Sequence, residues 1–132
     1  MELGIKSEIE FLVTERISAK TLGSGDVDVL ATPAITVFFE KAAKECVRGW
    51  LEDGETTVGT NINVNHISPT PIGMKVRCIA TLIGQDKRNL KFKVEAYDEV
   101  SLIATGEHSR FIVNYDKFMD KANSKGSVKA DK

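Results

Sequence analysis

The sequence predicts an α+β fold in which an antiparallel sheet wraps around one central hydrophobic helix, and three observations carry that prediction. Leu30 to Trp50 is the only long segment whose apolar residues recur at helical spacing. From Thr57 onward the apolar period changes to two, as half-buried strands require. The helix is also too apolar on one face to lie on a surface, so the strands must cover it.

The elements follow in order. Residues 8 to 13 place Ile9, Phe11 and Val13 on one face, which reads as a first strand. Ser18 to Asp28 loses periodicity. Its Gly23-Ser24-Gly25-Asp26 marks a loop that is either a wall or lid over a site or a plain surface connection. Thr32 and Pro33 start the helix, Thr as N-cap and Pro at the first helical position, where its missing N–H costs nothing. Ile35, Phe39, Ala42, Ala43, Cys46 and Trp50 then share a face, and Gly54 suits the left-handed conformation that ends helices.

In the strand that follows, Val58, Thr60, Ile62, Val64 and His66 share one face, and Gly59, Asn61, Asn63 and Asn65 the other. Pro69-Thr70-Pro71-Ile72-Gly73 breaks the pattern, and strands resume over Met74 to Ile83, Leu90 to Ala96 and Ser101 to Asn114. Three successive antiparallel hairpins are the economical topology. The second strand has a row of Asn and no Pro or Lys inside it, so it is the edge expected to pair with a second subunit in a homodimer. Residues 1–115 form one domain. Residues 116–132 carry five Lys and almost nothing apolar after Met119, and are expected to be a disordered tail.

At 132 residues the chain can bury its own core without metal or disulfides. Lys plus Arg number 18 against 19 for Asp plus Glu, which gives no electrostatic case for nucleic acid or an anionic membrane as partner. Cys46 and Cys78 lie within a helical and a strand pattern without CxxC spacing, so they read as buried free thiols of a reducing compartment. No leader-like apolar core and no run of about 18 apolar residues occurs, so a soluble, cytoplasmic protein is expected.

Few polar residues fall where a core should be, and these are the candidates for chemistry. Glu40 lies at one margin of the helix's apolar arc and Glu45 at the other. Periodicity does not choose between them, and either could be a solvated carboxylate. His66 ends its strand on the apolar side, as a satisfied core histidine or as an acid–base group. The Thr32 hydroxyl can cap the helix and still touch a ligand. A Gly inside a strand, as at Gly59, marks a bulge or a close approach of backbone to something such as a ligand that wants an N–H. His108 and Arg110 share a face of the last strand, as a structural ion pair or an exposed edge. Neither His belongs to a metal-binding spacing, and there is no phosphate loop, GxSxG or dinucleotide fingerprint.

Leu30-Ala31-Thr32, Phe39-Glu40-Lys41-Ala42, Val58-Gly59-Thr60, Val64-Asn65-His66 and Pro69-Thr70-Pro71-Ile72-Gly73, in that order, resemble the fluoroacetyl-CoA thioesterase-like family of the hot dog fold thioesterases. The resemblance covers Glu10 to Asn114. Thr32 to Glu40 is eight residues and Glu40 to His66 twenty-six, the family's own intervals, and Gly106-Glu107-His108-Ser109-Arg110 resembles its last strand. The resemblance implies that Thr32, Glu40 and His66 are catalytic, which raises Glu40 above Glu45. It also implies that the Gly59 N–H helps hold a thioester carbonyl, with Thr60 and Arg110 as further substrate contacts, and that no cofactor is needed beyond the CoA of the substrate.

One departure bears on that substrate. In the fluoroacetate-specific enzymes an aromatic lid residue lies six positions before the catalytic Thr, where this chain has Asp26. A charged residue cannot supply an apolar gate, so the expected substrate is some other short or medium acyl-CoA. The competing reading is a non-catalytic hot dog dimer that binds an acyl-CoA-like ligand. A hydratase of the same fold ranks lower, because no His occurs between Thr32 and Leu51.

Overall fold

A computed structural model describes residues 1–130. The chain runs through β1 (Lys6–Leu12), a 3-10 turn (Glu15–Ile17), α1 (Ala19–Leu22), α2 (Thr32–Val47) and a second 3-10 turn (Arg48–Trp50). It continues through β2 (Glu55–His66), β3 (Lys75–Asp86), β4 (Asn89–Tyr97), β5 (Leu102–Asn114) and α3 (Tyr115–Ala130). The strands form one antiparallel sheet in the order β1-β3-β4-β5-β2, curled around α2. The fold class is the one the periodicities predict.

α2 buries Ala34, Ile35, Phe39, Ala42, Ala43, Cys46 and Val47. Three of these are alanines, which lets the sheet close onto the helix backbone. Facing them are Val76, Cys78, Ala80 and Leu82 of β3 and Leu90, Phe92, Val94 and Ala96 of β4, the inward sets that the alternation predicts. Both cysteines are buried and free, and burial pushes the Cys78 thiol up to about 12. Trp50 does not join this face. The α-helix ends at Val47 and the tighter 3-10 turn rotates the indole outward, leaving it 49 % exposed.

The topology differs from three successive hairpins. β3–β4 and β4–β5 are hairpins, but β2 pairs with β5, on the far side of the sheet from β3. The Pro-rich connection therefore crosses beside the start of α2, where Leu30 N–H donates to the Thr70 carbonyl and Val29 pairs with Pro71. β2 is left as an edge strand, as its Asn row suggests.

Past Asn114, where the sequence suggested no regular structure, the described residues form α3. Asn114 starts it by accepting the Lys117 N–H at 3.1 Å through its Oδ1. Through Val128 every side chain of α3 is exposed except the half-buried Met119, so this helix rests on local hydrogen bonds and not on packing. No helix among the described residues is long and apolar enough to cross a membrane.

Candidate active site

α2 and β2 run alongside each other in opposite directions and bring polar groups together at two places. The first is the start of α2. Thr32 is not the N-cap; Ala31 holds that position and no side chain caps the helix. The Thr32 hydroxyl is instead 2.8 Å from Nδ1 of His66, at the end of β2. Burial pulls the His66 pKa down, with the Ser68 backbone opposing, so the ring is neutral in ordinary buffer. Its Nε2 is buried and has no hydrogen-bond partner among the described residues.

The second place lies two helical turns further on, about 12 Å along the axis at 1.5 Å per residue. Here a bulge matters. Gly59 pairs with Arg110 and Asn61 with Ser109, which leaves Thr60 as an extra residue in β2. The extra residue reverses the alternation: Thr57 and Gly59 face the helix before it, and Ile62, Val64 and His66 after it. Gly59 therefore does not lie on the outer face, as strict alternation predicts. A Cβ added to it would sit 3.2 Å from Oε1 of Glu40, 3.2 Å from Cε1 of His108 and 3.5 Å from Nη1 of Arg110. The missing side chain leaves a small nook, open to the surface and bounded by a carboxylate, an imidazole edge and a guanidinium.

This end is heavily braced. Arg110 is 6 % exposed, donates from Nε to the Thr57 hydroxyl and from Nη2 to the Thr57 carbonyl, both at 2.8 Å, and has Nη1 3.1 Å from His108 Nε2. His108 Nδ1 is 2.7 Å from the Asn61 carbonyl. Burial lowers the Arg110 pKa, and the Glu40 carboxylate opposes that shift. His108 and Arg110 are thus neither an ion pair nor an exposed edge. Thr57 went unremarked in the sequence, although Gly59 signalled the bulge that turns it inward.

The remaining candidates separate clearly. Glu45 is exposed and pairs with Arg48 at 2.7 Å, so only Glu40 of the two helix carboxylates reaches the nook. The Thr60 hydroxyl donates to the Ser109 carbonyl at 3.1 Å and stays outside it. Asp26 is exposed in the loop before α2. Within one chain Thr32 and His66 meet directly, whereas Glu40, Gly59 and Arg110 gather at the other end of β2.

One helix wrapped by a curled sheet, with a hydroxyl–imidazole pair and a carboxylate spaced along its flank, defines a thioester hydrolase of the hot dog fold. The solved structures agree. A structure of a fluoroacetyl-CoA thioesterase aligns with TM-score 0.88 and 30% identity over 95% of this chain and 97% of that one. A thioesterase superfamily member from Thermus thermophilus aligns with TM-score 0.93 over 99% and 97%, at 24% identity, which speaks for the fold alone. Among curated proteins, the fluoroacetyl-CoA thioesterase of Streptantibioticus cattleyicolor is 35% identical over 98 residues, 74% of this chain and 70% of that protein. The sequence model of the fluoroacetyl-CoA-specific thioesterase family matches residues 13–116, and the chain belongs to that family.

Proposed function

We propose that this protein hydrolyses a short or medium acyl-CoA thioester to the free acid and CoA, with Thr32, Glu40 and His66 as its catalytic group. The observation that carries the reading is the Gly59 nook, where a carboxylate and a guanidinium flank the space left by the missing side chain, open to the surface. In this reading Glu40 takes a proton from the water that attacks the thioester carbonyl, or attacks that carbonyl itself to form an acyl-enzyme anhydride that water then hydrolyses to the free acid and the Glu40 carboxylate. Arg110 and the Gly59 backbone hold the oxygen on which negative charge develops. The carbon–sulfur bond then breaks, and His66, oriented by Thr32, relays a proton that comes from water to the leaving thiolate. CoA enters as part of the substrate, and no step calls on a metal or other cofactor. Related structures hold acetyl-CoA in one case and fluoroacetate with CoA in another, which supports a CoA ester as ligand. Asp26 in place of an aromatic gate favours an acyl group other than fluoroacetyl.

The two half-sites belong to a homodimer in this proposal. β2 is an edge strand with a half-site at each end. Antiparallel pairing of two β2 edges, centred near Ile62, would bring the Glu40–Gly59 end of one protomer beside the partner's His66 and Thr32. Free buried thiols support a cytoplasmic location. A panel of acyl-CoA esters assayed for thiol release tests the activity: hydrolysis of at least one member is expected. Tight binding with no release from any would favour the non-catalytic alternative.

A further inference from the structure

We propose that His108 is a positioning residue for Arg110: a neutral imidazole whose bare Nε2 holds the guanidinium against the Gly59 nook while its Nδ1–H pins the bulge. The inference rests on the reading of that nook as the substrate site.

The hydrogen-bond chemistry leaves one arrangement. A guanidinium only donates, so the 3.1 Å contact from Arg110 Nη1 requires a lone pair on His108 Nε2. The single ring proton is therefore on Nδ1, where it donates to the Asn61 carbonyl at 2.7 Å. Asn61 is the residue immediately after the bulge, so one ring ties the backbone that turns Gly59 inward to the cation beside it. The ring is 1 % exposed, which leaves no room for water to take over either bond. Phe92 of β4 lies 6.2 Å away, ring to ring; the charged groups that face His108 are Arg110 on its own strand and Glu40 from α2. Thr57 holds Nε and Nη2 of Arg110, and His108 alone holds Nη1, the nitrogen that borders the nook. Without His108 the guanidinium keeps its charge but loses its aim.

Two measurements test this. In the unmodified protein, nitrogen-15 NMR of the His108 ring at pH 7 should show a protonated Nδ1 and a bare Nε2; the opposite tautomer or a doubly protonated ring overturns the proposal. In kinetics, His108→Leu should lower kcat/KM at least about tenfold, as loss of a well-placed donor does. The same substitution in an Arg110→Gln background should cost almost nothing further, because the role is exercised through Arg110. Equal losses in both backgrounds would overturn it. His108→Gln, whose Oε1 can still accept from Nη1, should recover part of the loss; if His108→Leu does not fold, that variant and the tautomer decide. If the unmodified protein hydrolyses no acyl-CoA, the site reading fails and the ring tautomer alone decides the present inference.

Discussion

The two ends of β2 are built differently. At the Gly59 end, Thr57, His108 and Arg110 are buried and tied to one another and to the Asn61 carbonyl by four hydrogen-bond contacts, which fix the bulge. At the His66 end, among the described residues, a single side-chain contact, from Thr32, orients an imidazole whose other nitrogen has no hydrogen-bond partner. One end is a rigid cradle with a carboxylate and fixed positive charge but no free acid–base imidazole. The other is a lightly held imidazole with no carboxylate. On the proposed reading neither end is complete alone, and the chemistry divides between one end that holds charge and another that moves protons.

The comparison can be broken from either side. The largest effect is expected at Glu40: Glu40→Gln should lower kcat by about 10³-fold, the scale of a lost base or nucleophile, in steady-state thiol-release assays. Gly59→Ala comes next. The backbone at Gly59 is not left-handed, so the chain should fold, but the new methyl would fill the nook 3.2 Å from Glu40 Oε1. A loss of about 10²-fold in kcat/KM is expected, as for a misplaced catalytic group, with a small fall in Tm because the methyl also presses on the buried His108 ring. At the other end Thr32→Val removes one hydrogen bond to an otherwise intact imidazole and should cost about tenfold in kcat.

The smallest effect is on stability. His66 and His108 both have folded pKa values below the ordinary 6.5, chiefly from burial. Above pH 6.5 both are neutral folded or unfolded, and their contribution is fully present. As pH falls below 6.5 the unfolded chain takes up protons that the folded chain refuses, so stability falls until the folded values are reached. Denaturant titrations at pH 7.5 and 5.5 should show this loss, and it should shrink in His66→Gln. Unchanged stability across that range would contradict the burial of both rings as neutral species.

Much of this arrangement was legible in the residues. Spacing placed α2 and the inward faces of β3 and β4, because a helix wrapped by a sheet imposes clean periods of 3.6 and 2 on the sequence. The Asn row marked β2 as an edge. What escaped were features set by single insertions and long-range pairing. The extra residue at Thr60 reverses the alternation, so Gly59 and Thr57 face inward although the local pattern points them out. The partnership of β2 with β5 follows from a crossover that turn signals alone do not encode. Thr32 looked like a cap, and its hydroxyl is committed to His66 thirty-four residues away. Glu40 and Glu45 were equivalent by periodicity; the family's spacing favoured Glu40, and the fold places only that one at the nook.

The division of labour between the two ends is tested most directly by mixing variants that each lack one of them. Glu40→Gln and His66→Ala proteins, each expected to be nearly inactive alone, are unfolded, combined in equal amounts and refolded together. If each site draws its carboxylate from one protomer and its imidazole from the other, heterodimers will contain one intact site, and about a quarter of the wild-type activity should return. Activity no greater than the sum of the two variants measured separately would contradict a site shared between protomers.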